Sequence, residues 1–578
     1  MVQIHLQQAQ GIRRFKSLHF FLILYFLLVG TNISYSNPVY AENGLVVSAS
    51  ELASKVGVDI MKKGGNAIDA AVATGFALAV THPQAGNLGG GGFLVARLEN
   101  GETFTLDFRE VAPKSAHRDM YLDEQNNVIR GMSLYSHQAA GVPGTVDGLI
   151  KVFNDYGSGN ISLRQVLAPA ILLARGGFLI SHNFANRLNM YKNFFAYNQS
   201  AGNIFIKKDS VLWKNNDRLF QRDLAKTLTR IAQKGRDDFY SGKTADLIIK
   251  EMERGNGLIT KEDLSDYHSV YRAPVIGKFR DVDIISMGPP SSGGLLLVHM
   301  LNMLETFPLD SIGWHSSDYI HLLTEVERRA YADRAEHLGD PDYWQNPNHM
   351  FLSDEYALLR TSTISKVTAT PSADISVGDT APYESRETTH YSVADKFGNC
   401  VSVTVTLNTG FGCGVVVEGA GFFLNNEMDD FSSKSGSANI FGLIGNEANS
   451  IQPGKRPLSS MTPTIVLKDG NPLIIIGSPG GSTIITTVMQ VILNTVVYGM
   501  NIEEAVSAPR IHSQWLPDVI TAEPFSISKD VQTALENKGH KLKPYRWGKI
   551  GHANGIQVIE GGFYGGADPR GDNSAAGF

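Results

Sequence analysis

Two threonines, Thr388 and Thr389, begin the first strongly β-patterned stretch of the chain, directly after a long segment dominated by Ser, Thr, Pro, Asp and Ala. A threonine hydroxyl is a poor nucleophile unless a base lies beside it. One solution is a threonine at a chain terminus, whose own α-amine takes the proton and has a reference pKa of about 7.7–8.0. The alternative is an ordinary pair of strand threonines, because threonine is common in strands. The junction is therefore a candidate nucleophile site whose chemistry depends on its surroundings.

Several other motifs resemble functional sites but lack a necessary feature. The stretch Ser241–Thr244 imitates the end of a phosphate-binding loop, but Asp237 stands where that loop requires glycine. The glycine-dense run 86–92 predicts a tight turn against another backbone rather than a dinucleotide site. The adjacent carboxylates Asp429 and Asp430 could form an acid pair, although helix caps or solvated charge are commoner roles. The sixteen histidines show no metal-ligand spacing, so we expect neither a metal nor a cofactor.

Composition excludes several classes of protein. The 578 residues carry 51 Lys and Arg against 57 Asp and Glu, so no basic excess exists to neutralise nucleic-acid phosphates. Hydrophobic residues make up 43% of the chain, which is enough for a large core. The two cysteines, Cys400 and Cys413, are too few for a disulfide scaffold or a cysteine-based zinc site, and the sequence leaves open whether they pair.

The N-terminus has the pattern of an export signal. Basic residues at positions 13, 14 and 16 precede an unbroken apolar run over 20–29. This run would form about 15 Å of helix, half of a hydrocarbon core of roughly 30 Å. We expect residues 1–41 to be a signal peptide that lies outside the fold and is cleaved after Ala41, with an uncleaved membrane anchor as the alternative. The mature protein would then be periplasmic or secreted and free of the membrane.

Apolar spacing predicts the helices that frame the candidate site. Two helices are predicted within 48–80, the first beginning at a capping box formed by Ser48 and Glu51. A long helix is predicted over 316–338, and a buried helix over 482–498.

Strands dominate the C-terminal third of the sequence. Residues 388–395 and 400–407 are rich in Val, Thr and Tyr and predict a hairpin, and a second hairpin is predicted over 465–467 and 473–476. The segment 361–387 ahead of them lacks any apolar period, which indicates a mobile, solvated linker. Helices followed by hairpins and a further helix predict an α+β layered fold.

Nine longer motifs run in order along nearly the whole chain. They are Gly64–Ala67, Thr81–Phe93, Asp107–Arg109, Thr388–Val393, Leu407–Thr409, Leu424–Phe431, Arg456–Met461, Gly477–Gly481 and Asp568–Arg570. Together they resemble the γ-glutamyltranspeptidase family, the glutathione-hydrolysing branch of the N-terminal-nucleophile hydrolases. The resemblance implies an αββα sandwich of two stacked antiparallel sheets flanked by helices. One precursor would supply both a large chain, 42–387, and a small chain, 388–578, which form a heterodimer.

The resemblance also assigns the catalytic residues. Thr388 would be the nucleophile, released when the precursor cuts its own Glu387–Thr388 bond. Thr406 corresponds to the family threonine that hydrogen-bonds the nucleophile, and Asn408 to a residue at the amino end of the substrate. The implied activity is cleavage of the γ-glutamyl amide of glutathione and related donors through a γ-glutamyl-threonine intermediate. The group would pass to water, amino acids or dipeptides.

The remaining family positions suit a donor that presents an α-carboxylate, an α-ammonium and a scissile γ-carbonyl. Arg109 can bind the carboxylate bidentately, assisted by the hydroxyls of Ser459 and Ser460. A structural ion pair is the alternative role of such an arginine. Glu427 and Asp430 can bind the ammonium, although some relatives have glutamine at the position of Glu427.

Two glycines and one phenylalanine complete the implied site. Gly480 and Gly481 precede a predicted helix, so their N–H groups can face a developing oxyanion, the alternative being a plain turn. Phe441 lies in the loop 435–446 that resembles the family lid, where many bacterial relatives carry tyrosine. Phenylalanine has no hydroxyl, so it cannot make the hydrogen bond with which a tyrosine would close the lid.

Two other functions are compatible with the same motifs. A related acylase would act on glutaryl-type amides, but these lack the α-amine that Glu427 and Asp430 would bind. A secreted, non-catalytic binding protein would keep the fold alone, and intact Thr388, Thr406 and Arg109 argue against it.

Overall fold

Two seven-stranded antiparallel sheets form the centre of the protein in the computed structural model, which describes residues 37–208, 211–375, 388–545 and 549–578. In spatial order, the first sheet contains β1 (Val39–Ala41), β18 (Gly562–Ala567), β17 (Asn554–Ile559), β13 (Asn471–Gly477), β12 (Thr464–Lys468), β9 (Val282–Ser286) and β8 (Val275–Phe279). The second contains β19 (Ser574–Gly577), β2 (Gly44–Ser48), β10 (Thr388–Asp395), β11 (Cys400–Thr406), β3 (Gly91–Arg97), β4 (Thr103–Phe108) and β7 (Val270–Arg272). The short strands β5 (Phe178–Leu179) and β6 (Arg218–Leu219) pair separately, as do β14 (Ile511–His512), β15 (Ile520–Ala522) and β16 (Leu542–Pro544).

Helices cover the outer faces of both sheets. In chain order they are α1 (Glu51–Lys62), α2 (Ala67–Thr81), α3 (Met132–Tyr135), α4 (Thr145–Tyr156), α5 (Leu163–Gly176), α6 (His182–Met190), α7 (Lys192–Phe195), α8 (Gln199–Phe205), α9 (Arg222–Lys234), α10 (Arg236–Tyr240), α11 (Lys243–Gly255), α12 (Lys261–Asp266), α13 (Gly293–Glu305), α14 (Ser317–His337), α15 (Asn348–Leu352), α16 (Asp354–Thr361), α17 (Ser372–Ile375), α18 (Thr483–Val496), α19 (Ile502–Ser507) and α20 (Lys529–Asn537).

The layers are held together by three large apolar clusters. Between the sheets, Phe93 and Val95 of the second sheet share a buried cluster with Ile465 and Ile475 of the first. A second cluster joins α1, α2 and α4 to the outer face of the second sheet, and a third joins α13, α14 and α18 to the first. Helix α2 is buried along its whole length, which its small alanines permit at close range to a sheet. The αββα sandwich expected from the sequence is confirmed.

Most predicted elements occur where the sequence places them. Both C-terminal hairpins are present, as β10–β11 and β12–β13, and the helices predicted over 316–338 and 482–498 are α14 and α18. The prediction that a capping box at Ser48 begins the first helix is wrong. Ser48 ends strand β2, and its hydroxyl bonds that of Ser54 at 2.7 Å, so the helix begins two residues later behind Ser50. The long-range strand pairing of β2 takes precedence over the local cap.

The glycine run after α2 makes the close backbone contacts that its composition predicts. A Cβ atom on Gly89 would lie 2.1 Å from the carbonyl oxygen of Phe423, and one on Gly90 would lie 2.1 Å from that of Thr406. No side chain fits at that distance, so these glycines let the turn pack directly against the strand that carries Thr406.

The first described residues belong to the fold. Val39–Ala41 pair with β18 at the edge of the first sheet, and the N–H groups of Glu42 and Asn43 donate to the carbonyl oxygen of Phe578. The expectation that all of residues 1–41 lie outside the fold is therefore wrong for 39–41, because β18 offers an edge that this segment can extend. Residues 1–36 lie outside the described part of the chain. No helix in the described residues combines the length and apolarity needed to cross a membrane.

The segment before Thr388 is anchored where the structure describes it. Arg328 of α14 donates to the carbonyl oxygen of Thr370 at 2.7 Å, and Ser372 donates to the carbonyl oxygen of Trp515 at 2.7 Å. Most of residues 361–375 are exposed or half-buried, so the prediction of a solvated segment is confirmed, but the prediction of a mobile linker is wrong because contacts with α14 and with the C-terminal part hold the segment. Residues 376–387, which include Glu387, are outside the described range.

Both cysteines lie in the second half of the chain and neither is paired. Cys400 and Cys413 are free and buried. Burial raises the pKa of each thiol to about 12, so both stay protonated and unreactive.

Candidate active site

Thr388 is the first residue of β10 and lies at the centre of the second sheet. It is buried and stands directly opposite Thr406 in the β10–β11 ladder. The two hydroxyl oxygens are 3.4 Å apart, which is longer than an ordinary hydroxyl hydrogen bond. The N–H of Asn408 donates to the Thr406 hydroxyl at 2.7 Å and fixes its position beside Thr388.

A small cavity opens beside the Thr388 hydroxyl. Every site residue expected from the sequence lines it except Gly480 and Glu387, the latter lying outside the described residues. Phe441 of the predicted lid also faces it. The four other lining residues are apolar and were not anticipated. The complete lining is Arg109, Thr388, Thr406, Asn408, Glu427, Asp430, Phe441, Leu443, Leu458, Ser459, Ser460, Met461, Gly481 and Ile484.

Arg109 is fully buried at the end of β4 and binds two carboxylates on the cavity wall. Its Nη1 pairs with Glu427, and its Nη2 lies 2.5 Å from Asp430 Oδ2. Its Nε donates to the carbonyl oxygen of Pro457 at 3.2 Å. A third carboxylate, Glu110, places Oε2 3.6 Å from Nη1. The residues proposed for the two ends of a zwitterionic ligand thus neutralise each other.

Three buried carboxylates around one guanidinium cannot all ionise at ordinary cost. Burial raises the pKa of Glu110 to about 7 against the pull of Arg109, with Asp430 adding to the rise. Burial likewise raises the pKa of Glu427 well above its usual range and raises that of Asp430. Burial disfavours the charge on Arg109, but the three carboxylates outweigh it and raise the pKa of its guanidinium. The cluster therefore holds at least one proton near neutral pH.

Some polar atoms on the cavity wall have no partner among the described residues. They are Glu427 Oε2, Asn408 Oδ1 and Ser460 Oγ, and all three are buried. Buried polar groups without partners are uncommon and often mark a place where a ligand binds. Two acceptors and one hydroxyl suit a ligand that carries both an ammonium and a carboxylate.

The glycine pair forms a tight turn ahead of α18. Gly480 and Gly481 have φ angles of 142° and 57°, in the region that favours glycine. The carbonyl oxygens of both accept from the first N–H groups of the helix, at Thr483 and Ile484. The turn lies at the positive end of the helix dipole, which suits the stabilisation of an oxyanion.

The loop 435–446, here called the covering loop, closes one side of the cavity. Phe441 packs on the glycine turn, since a Cβ atom on Gly481 would lie 2.3 Å from the phenyl ring. Asp429 accepts from the N–H of Ile440 at 3.0 Å, and Asn439 donates to Asp430 at 3.0 Å. Both aspartates therefore hold the covering loop, and Asp430 also binds Arg109.

One group of metal-ligating residues occurs among the described residues, away from this cavity. His321, Glu325 and His540 are buried close together, a spacing that the sequence analysis missed because His540 is distant in the chain. His321 Nδ1 already lies 2.7 Å from His540 Nε2, and Glu325 accepts from Arg329 at 2.7 Å. These contacts use the ligand atoms, and the adjacent guanidiniums oppose a cation, so the group has a structural role.

The sequence analysis also missed Glu110 and the residues that hold the covering loop. Glu110 could have been found, because it directly follows Arg109 in a motif that was noticed. The apolar wall formed by Leu443, Leu458 and Ile484 carries no comparable signal.

Comparison with known proteins agrees with this geometry. The sequence profile described as Gamma-glutamyltranspeptidase matches residues 53–578. The chain is 48% identical over 544 residues to the glutathione hydrolase proenzyme of Escherichia coli strain K12, covering 94% of this chain and 93% of that protein. It is similar to the crystal structure of cephalosporin acylase from Bacillus halodurans, with a TM-score of 0.82, 27% identity and coverage of 95% and 98% of the two chains. It is also similar to the Helicobacter pylori γ-glutamyltranspeptidase structure, with a TM-score of 0.56 and 45% identity over 57% of this chain and 93% of that one. A match of this extent, over a fold of two stacked sheets with Thr388 at the head of a central strand, places the chain in the γ-glutamyltranspeptidase family of N-terminal-nucleophile hydrolases.

Proposed function

We propose that the protein is a self-processing γ-glutamyltransferase and glutathione hydrolase. The observation that carries this proposal is the single cavity in which the Thr388 hydroxyl, the Arg109 guanidinium and the carboxylates of Glu427 and Asp430 meet. A nucleophile, a carboxylate-binding group and an ammonium-binding group at one place match the three functional groups of a γ-glutamyl donor. Family membership and the identity to a glutathione hydrolase proenzyme support the same activity.

Donor binding would exchange one set of ion pairs for another. Arg109 binds Glu427 and Asp430. The donor's α-carboxylate would take over part of Arg109 and accept from the hydroxyls of Ser459 and Ser460. Its α-ammonium would donate to the two released carboxylates and to Asn408 Oδ1. The exchange keeps every buried charge paired, which is the condition for a charged ligand to enter a dry site.

The reaction would then proceed through an ester on Thr388. Its α-amine, free after cleavage, takes the hydroxyl proton as Oγ1 bonds to the γ-carbonyl carbon. The N–H groups of Gly480 and Gly481 stabilise the oxyanion, and the protonated amine returns the proton to the departing nitrogen as the C–N bond breaks. Water or the amine of an amino acid or dipeptide attacks the ester by the reverse steps and regenerates the threonine.

Maturation and location belong to the same proposal. Cleavage between Glu387 and Thr388 would give a large chain that ends at Glu387 and a small chain, 388–578. Two features suit this arrangement. Thr388 begins a central strand, and the segment that precedes it in the chain is anchored up to Ile375. Export by the N-terminal leader would place the heterodimer in the periplasm or outside the cell. We propose no metal, cofactor or nucleic acid as a partner.

An acylase for glutaryl-type amides is the second candidate, because the fold closely matches a cephalosporin acylase. A glutaryl group has no α-ammonium. Its binding would leave the cluster of Glu110, Glu427 and Asp430 without a new counter-charge, and the unpartnered Glu427 Oε2 without a donor. The cavity therefore favours the γ-glutamyl donor.

The test compares two chromogenic anilides that differ only in the α-amine. Purified protein is incubated with γ-glutamyl anilide and with glutaryl anilide, each with and without a dipeptide acceptor. We expect release from the γ-glutamyl substrate, faster with acceptor, and none from a Thr388→Ala control. Preference for the glutaryl substrate would favour the acylase, and no release from either would refute both functions.

A further inference from the structure

Three hydrogen bonds between described residues attach side chains or backbone of the covering loop to the rest of the protein, and two of their partners, Asp429 and Gln514, do not line the cavity. Two attachments are the bonds from Asn439 to Asp430 and from Ile440 to Asp429. The third runs from the side-chain amide of Gln514, whose Nε2 donates to the carbonyl oxygen of Phe441 at 3.1 Å. Gln514 is buried and lies two residues after β14.

The orientation of the Gln514 amide follows from its partners. A carbonyl oxygen can only accept, so the NH₂ group must face Phe441. The amide oxygen then faces His512 Nε2 at 3.0 Å, and that nitrogen must carry hydrogen. His512 Nδ1 lies 2.9 Å from the hydroxyl of Thr486, which can donate to it. Thr486, His512, Gln514 and Phe441 thus form a hydrogen-bonded chain in which each member donates to the next.

This chain connects the two walls of the site. Thr486 lies in the first turn of α18, directly after the glycine turn, and Phe441 packs its ring against Gly481 of that same turn. The covering loop is therefore held by its backbone to the helix that follows the proposed oxyanion site.

The residues around this hydrogen-bonded chain keep the imidazole of His512 uncharged. Burial lowers the pKa of His512 to about 4, against a rise caused by Gln514, so the imidazole is uncharged near neutral pH. Glu327 Oε2 accepts from the N–H of Ser513 at 2.8 Å, and burial raises the pKa of Glu327 well above its usual range. The hydroxyl of Tyr331, whose ring contacts His512, donates to the carbonyl oxygen of Ser482.

We propose that Gln514 is a positioning residue that latches the covering loop over the cavity through the backbone carbonyl of Phe441, with His512 fixing the orientation of its amide. A backbone latch works with any side chain at position 441. The bond can therefore hold the covering loop closed in this protein, although Phe441 has no hydroxyl. Loss of the latch leaves Thr388, Arg109 and the glycine turn in place, but it lets the loop open more often to water and to acceptors.

The first test removes the latch with an apolar side chain of similar length. In the full protein, Gln514→Met loses both amide bonds, and hydrogen exchange is followed in a peptide covering 435–446. Because a net hydrogen bond changes an opening equilibrium by about two-fold to ten-fold, exchange of these amides should accelerate by that factor. The matched control is Gln221→Met, since Gln221 is another buried glutamine, which donates to the carbonyl oxygen of Val80 at 2.7 Å and bonds neither the loop nor the hydrogen-bonded chain. The control should leave loop exchange unchanged.

A second variant separates latching from packing. Gln514→Glu introduces a carboxyl that can donate to the Phe441 carbonyl only when protonated. Loop exchange relative to wild type at the same pH should be near one at low pH and should rise with pH as the carboxyl ionises. Unchanged exchange in folded Gln514→Met, equal acceleration in Gln221→Met, or a pH-independent ratio in Gln514→Glu would each overturn the proposal.

The activity readout rests on the proposed function and is scored separately. In Gln514→Met the ratio of hydrolysis to dipeptide transfer should change at least two-fold, and the KM for the γ-glutamyl donor should rise, while self-cleavage stays complete. Faster loop exchange in a protein that lacks γ-glutamyl activity even as wild type would overturn the proposed function and support the latch.

Discussion

Replacing Arg109 with lysine tests the donor site most directly. The arginine makes three side-chain contacts, to Pro457 O at 3.2 Å, to Asp430 at 2.5 Å and to Glu427, and these spread over its Nε, Nη1 and Nη2 atoms. A lysine ammonium keeps the charge but is a single point at the end of its chain, so it cannot serve all three directions. It would also offer a donor carboxylate one strong bond where the planar guanidinium offers two.

The magnitude follows from the loss of one charge-assisted bond to the α-carboxylate. Such a loss costs about 1.4 kcal/mol or more, so the KM for γ-glutamyl donors should rise about ten-fold or more in Arg109→Lys. The assay is initial-rate kinetics with γ-glutamyl anilide, on protein whose self-cleavage is first confirmed by denaturing electrophoresis. The matched control is Arg272→Lys. Like Arg109, Arg272 binds a buried carboxylate, that of Asp107 at 2.7 Å, but Arg272 does not line the cavity. An unchanged KM in matured Arg109→Lys, or an equal rise in Arg272→Lys, would refute the assignment of the carboxylate site.

Three further predictions concern other parts of the site. Thr388→Ala should remain a single chain, whereas wild type should give pieces of about 38 and 21 kDa under denaturing, non-reducing conditions, and cleavage of the variant would exclude Thr388 as nucleophile. Phe441→Tyr should change the ratio of transfer to hydrolysis by about two-fold to ten-fold, because a tyrosine hydroxyl could donate to the unpartnered Asn408 Oδ1. An identical ratio in both proteins would show that a hydroxyl at position 441 does not control opening of the covering loop. Because the pKa of Glu110 is raised to about 7, the folded protein favours the neutral form of this carboxyl. The contribution of Glu110 to the free energy of unfolding is therefore fully present below about pH 4.5 and is lost as the pH rises through 7. Glu110→Gln should therefore be more stable than wild type at pH 8, by up to about 3 kcal/mol, and the difference should vanish in urea unfolding at pH 4.

Short-range sequence patterns predicted the elements that carry the nucleophile. The Val, Thr and Tyr content of 388–395 and 400–407 predicts two neighbouring strands, and their pairing as a hairpin places Thr388 opposite Thr406. The predictions that failed are those in which a distant partner decides the outcome. Ser48 belongs to a strand because β10 and β19 flank β2. Residues 361–375 are held in place because, in α14, Arg328 donates to the carbonyl oxygen of Thr370 and Arg329 to the hydroxyl of Thr363.

The site shows the same division. Family motifs identified nearly every polar residue on the cavity wall, because the chemistry of the donor limits which residue types can serve. They did not reveal that Arg109 binds Glu427 and Asp430, which depends on the distance between two loops. Nor could they reveal the role of Gln514, whose partner lies 73 residues earlier in the chain.

The order of strands in the second sheet has a consequence for the lifetime of a processed enzyme. β2 would belong to the large chain, yet it lies between β10 and β19, both of which would belong to the small chain. Once the backbone is cut, these strands can regain their places only if two separate polypeptides meet, so refolding changes from a first-order to a second-order process. Dilute Thr388→Ala precursor should therefore recover after unfolding under conditions in which the matured protein does not. The lifetime of the matured enzyme would then be set by its rate of unfolding, and not by the equilibrium between its folded and unfolded states.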